Sequence, residues 1–120
     1  EGLKKGIAEL KEIRKEFETN LFIPGSKEGM NVELDKAIRL YDFITMGELV
    51  AYDALNRNES CGGHFREEYQ TEEGEAKRDD ENFFYVACWE YQGDDEKAPL
   101  LIKEPLVYEA IKVQTRNYKS

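Results

Sequence analysis

The sequence predicts a mainly α fold: a helical hairpin, then a small β-hairpin and an extended C-terminal tail. Apolar residues recur at helical spacing over two early stretches. An acidic run without large aliphatic residues follows, and an aromatic, β-branched run with a glycine turn comes after it.

The first helix is expected over 2–19, where Leu3, Ile7, Leu10, Ile13 and Phe17 step by three and four along one face. Lys4, Lys5, Glu9, Lys11, Glu12, Arg14, Lys15 and Glu16 lie between them as a solvated face with opposite charges at helical spacing. Pro24, Gly25, Ser26 and Gly29 mark a loop. Asn31 is an N-cap, with Glu33 and Asp35 in the first turn, where the helix dipole favours negative charge. The next proline is Pro99, so a long second helix is expected over about 32–58.

That helix carries two apolar stripes. One is Leu34, Ile38, Tyr41, Ile44 and Leu55; the other is Leu40, Phe43, Val50, Ala51 and Ala54, beside Gly47. The first helix covers only one of them. Leaving the other bare costs about 25 cal/mol for each Å² of apolar surface in water. A later segment, a partner or a further helix is therefore expected to cover it.

Residues 67–82 hold eight acids and two bases and nothing aliphatic larger than Ala76, the composition of an exposed, mobile connection. The run Phe83 to Tyr91 reads as a strand. Gln92 to Lys97, with Gly93-Asp94-Asp95, reads as a turn, and Ala98 to Lys103 returns through Leu100 and Ile102 as the second strand. Pro105 breaks the run. Leu106, Val107, Tyr108, Ile111 and Val113 then suit a further strand or a bound extended tail. The organisation is thus a helical portion over 1–66, the connection over 67–82, and the hairpin and tail over 83–120, all in one structural domain.

Composition narrows the function classes. A chain of 120 residues, 40% hydrophobic and 36% charged, folds as one small domain with little room for an internal substrate cavity. The net charge of −9, from 26 acids against 17 bases, argues against nucleic acid. No apolar run approaches the ~20 residues of a bilayer crossing, and no signal pattern opens the chain, so neither is expected. Two cysteines, Cys61 and Cys88, are too few for a disulfide scaffold and suit a reducing cytoplasm. The chain opens on Glu1 rather than a methionine, as a processed product or a piece of a longer protein does.

Unusual chemistry concentrates at Ser60-Cys61-Gly62-Gly63-His64-Phe65-Arg66. Cys61 and His64 have a C-x-x-H spacing, but a structural zinc site takes four ligands with paired spacing, so no metal is expected. A Cys/His nucleophilic pair needs an orienting group and oxyanion donors that no pattern here supplies. Gly62-Gly63 fits better as the left-handed turn ending the long helix, open to close approach by another surface. The paired acids Glu67-Glu68, Glu72-Glu73 and Asp79-Asp80 read as solvated loop, and no glycine-rich phosphate cradle occurs.

The run Arg57-Asn58-Glu59-Ser60-Cys61-Gly62-Gly63-His64-Phe65-Arg66-Glu67, with Arg78-Asp79-Asp80-Glu81-Asn82 further on, resembles the C-terminal region of the fumarate reductase/succinate dehydrogenase flavoprotein subunit family. Members carry R-x-E-S-R-G-A-H, then an Arg and acids, then R-D-D-E-N before a strand. Glu1-Gly2-Leu3 with Glu12-Ile13-Arg14, and the ending Arg116-Asn117-Tyr118-Lys119, fit the same family. Cys61 stands where many members have Arg, and Gly63 where Ala is common, which suggests a branch with a different docking contact.

The resemblance implies a truncated three-helix, spectrin-repeat-like bundle whose first helix would precede Glu1 and cover the surplus stripe of 32–55. Left bare, that stripe would drive self-association. It further implies a chain without catalytic groups or cofactor of its own. The parent would carry FAD and move electrons between it and the fumarate/succinate pair. Its partners would be the preceding FAD and capping domains and an iron-sulfur subunit. Its place would be peripheral, on the cytoplasmic face of the inner membrane, without direct insertion. Ser60, Cys61, Gly62, Gly63, His64, Arg66, Arg78, Asp79 and Asp80 are the implied interdomain contacts. The alternatives are a free-standing acidic interaction module, or the same domain of an aspartate oxidase or adenylylsulfate reductase relative.

Overall fold

A computed structural model describes residues 1–115. The chain is mainly helical with a two-stranded antiparallel sheet, and it divides into two compact units, Glu1–Asn56 and Arg57–Ser120.

In the first unit, α1 (Gly2–Asn20) and α2 (Val32–Asn56) pack as a hairpin. The Asn31 Oδ1 accepts hydrogen bonds from the amides of Glu33 and Leu34 at 3.0 and 3.2 Å, which fixes the start of α2. The other end of the same amide donates to the carbonyls of Pro24 and Ser26 and so ties down the connecting loop. Gly25, at φ 116°, is required there, because a Cβ would come within 2.7 Å of the Asn31 amide nitrogen. The helices approach closely at Gly47, where a Cβ would sit 3.8 Å from a Leu10 methyl.

Only Ala37 and Ile44 form the buried apolar core among the described residues. The inward stripe of α1 runs Leu3, Ile7, Leu10, Arg14, Phe17, and Ile13 is half exposed. Arg14, expected on the solvated face, lies at seven-residue spacing from Ile7 and therefore turns inward. Its guanidinium pairs with Glu48 and lies 5.7 Å from the ring centre of Tyr41, which also meets Phe17 at 5.7 Å. Of the second α2 stripe, Phe43 and Val50 stay in water at 67% and 62% exposed, while Ala51 and Ala54 are half-buried.

In the second unit, α3 (Asp80–Phe83) is one turn capped by Asp79, whose carboxylate accepts from the Asn82 amide. It leads into β1 (Tyr85–Glu90), which pairs with β2 (Leu100–Pro105) from Tyr85↔Pro105 to Glu90↔Leu100. The strand expected from Phe83 thus starts two residues later, because the Asp79 cap draws Phe83 into a helical turn. Pro105 ends β2 inside the pairing, and in a two-stranded sheet every strand is an edge that tolerates it. The tail beyond is extended and bound. The Leu106 amide donates to Phe84 O at 3.2 Å, Tyr108 meets the Phe84 ring at 5.8 Å, and Arg78 donates to Gln114 O.

Two expectations change. The long helix ends at Asn56 rather than near 58, and the Ser60–Arg66 motif folds with the residues after it, outside the helical unit. The stretch 67–82 is hydrogen-bonded rather than a loose connection. The Lys77 amide donates to Tyr69 O, that of Thr71 to Glu75 O, and Gln70 bridges Ala76. Charge density there read as mobility, but the backbone pairs locally regardless. No helix among the described residues is long and apolar enough to cross a membrane. The Arg116–Lys119 ending lies outside the described residues.

Candidate functional site

The motif residues assemble around two buried polar side chains, Glu59 and Ser60, 2% and 0% exposed. A buried carboxylate is tolerable only when charge and lone pairs are satisfied. Glu59 meets both conditions: Arg57 Nη1 donates to its Oε1 at 2.9 Å, and the Asp79 amide donates to its Oε2 at 2.8 Å. Arg57 also donates to the carbonyls of Phe83 and Tyr85 and lies over both of their rings, at 6.0 and 5.5 Å. One ion pair therefore joins the chain after α2 to the entry of β1.

Ser60 performs the same task for the turn. Its hydroxyl accepts from the Arg66 amide at 2.8 Å and donates to the Arg66 carbonyl at 3.2 Å. Its own amide donates to Lys77 O at 2.9 Å. Between these clamps the chain reverses over Cys61 to His64, whose amides and carbonyls exchange hydrogen bonds at 2.8 and 3.1 Å. Gly62 takes φ 57° at the first central position, as a two-residue II′-type hairpin requires. The left-handed glycine thus serves this turn and not the end of the helix.

His64 Nε2 lies 3.0 Å from Arg57 O. A carbonyl only accepts, so Nε2 carries the proton. Arg66 donates to the same carbonyl at 3.3 Å and to Asn58 Oδ1 at 2.9 Å, and its guanidinium sits 4.9 Å from the Tyr69 ring centre. Arg66 also grips Glu68. The Glu68 carboxyl is held below the usual range by its own amide and by the Arg66 hydrogen bond. Arg78 pairs with Asp80 at 2.6 Å, which raises the guanidinium above its ordinary value.

Of the nine sequence-predicted contacts, Ser60 is enclosed, and Cys61, His64, Arg66, Arg78 and Asp79 are half-buried. Gly62, Gly63 and Asp80 are exposed. Open space surrounds both glycines, and Phe65 beside them is 51% exposed. Arg57 and Glu59, which hold the site together, are missing from the predicted contacts. Their signal was an acid two residues from an arginine just past a helix, which periodicity does not weigh.

The N-terminus of α2, where a pyrophosphate would favour bare amides, is occupied by the Asn31 side chain and flanked by Glu33 and Asp35. The open groove of about 310 Å³ between Phe17, Leu21, Ile23, Leu34 and Ile38 is almost wholly apolar. Among the described residues no group of three or more His, Cys, Asp or Glu is placed to hold a metal ion.

The chain thus combines a helical hairpin with a clamped turn and a two-stranded sheet, the turn built on buried Glu59 and Ser60. The family model described as "Fumarate reductase flavoprotein C-term" matches residues 1–118, both units together. The chain belongs to the fumarate reductase/succinate dehydrogenase flavoprotein C-terminal family. No curated protein matches the chain.

Proposed function

We propose that this chain is the non-catalytic C-terminal domain of a fumarate reductase or succinate dehydrogenase flavoprotein, packing on the FAD domain. The parent transfers electrons between FAD and the fumarate/succinate pair. An iron-sulfur subunit is its partner, and the complex sits on the cytoplasmic face of the inner membrane.

The family match over both units supports the parent's identity. The observation that carries the docking role is the Gly62-Gly63 turn, exposed, without Cβ atoms and held rigid by Ser60. A bare backbone lets another surface come close, and a clamped turn loses little entropy on docking. Gly62, Gly63 and Phe65 form the contact. His64 and Arg66 anchor it through their hydrogen bonds to Arg57 O and the Ser60 hydroxyl, and Cys61, Arg78, Asp79 and Asp80 are further contacts of the interface. The exposed stripe of α2 is covered by the parent chain in the same way.

Gly63→Lys separates docking from folding, because Gly63 has no positive φ and its Cβ would meet nothing within 4 Å. The variant keeps the circular dichroism and melting temperature of the isolated chain. Titrated against the upstream part of the flavoprotein, it binds at least about tenfold more weakly, a loss of about 1.4 kcal/mol. Unchanged affinity would remove the turn from the interface.

A further inference from the structure

We draw no further inference here: the strongest candidate, the outer face of the β1–β2 hairpin where half-exposed Val86, Leu100 and Ile102 flank Cys88, is an unpartnered apolar surface, and nothing in the structure shows what covers it.

Discussion

The two units bury opposite kinds of residue. Among the described residues, the buried side chains are Ala37 and Ile44 in the first unit and Glu59 and Ser60 in the second. The helical unit rests mainly on non-directional apolar contact, which degrades gradually as side chains change, with the Arg14–Glu48 pair as an inward ionic contact. The second unit rests on hydrogen bonds around two buried polar side chains, where removing one partner costs more than forming the bond gained. Substitutions in the helices are therefore expected to cost less than substitutions at the turn.

Glu59→Ala breaks this contrast hardest. It strips Arg57 of its counter-ion and the Asp79 amide of its acceptor. Truncating one member of a buried pair costs about 3–5 kcal/mol, which rivals the whole stability of a small unit. Urea unfolding followed by Trp89, the single tryptophan, should show the transition shifted by that amount. A shift below about 1 kcal/mol would mean that the network is decorative.

Ser60→Ala sharpens the point with a smaller change. Two Arg66 backbone groups lose their partner, an expected loss of about 1–3 kcal/mol by the same Trp89 measurement. In the helical unit the expected sign reverses. Gly47→Ala places a methyl at ordinary contact distance from Leu10 and removes a glycine from a helix interior. Far-UV thermal melts should show stabilisation of about 0.5–1 kcal/mol. Destabilisation would mean that the added methyl does not sit at ordinary contact distance from Leu10.

The same contrast explains what was legible in the sequence. Periodicity placed α1 and α2 to within two residues, and Asn31 announced its cap, because these depend on neighbours along the chain. Arg14 reads as solvated by its charge, whereas its place in the stripe sends it inward against Glu48 and Tyr41. The motif's residues were visible as a resemblance, but not their geometry. Glu59 reaches the Asp79 amide twenty positions away, and no local pattern encodes such a closure. The acidic run reads as mobile for a related reason: its order comes from backbone pairs such as Lys77 to Tyr69, to which side-chain composition is blind.

The central claim is that this domain holds structure for a reaction performed elsewhere in the parent. The most direct test is His64→Ala in the full-length flavoprotein, measuring fumarate-dependent turnover per bound flavin beside the melting temperature. The account predicts a lowered melting temperature with turnover close to that of the unsubstituted protein, since His64 spends its Nε2 proton on Arg57 O. A fall in turnover of about a hundredfold or more at unchanged melting temperature and flavin content would contradict it, for that is the loss expected when a general acid or base is removed.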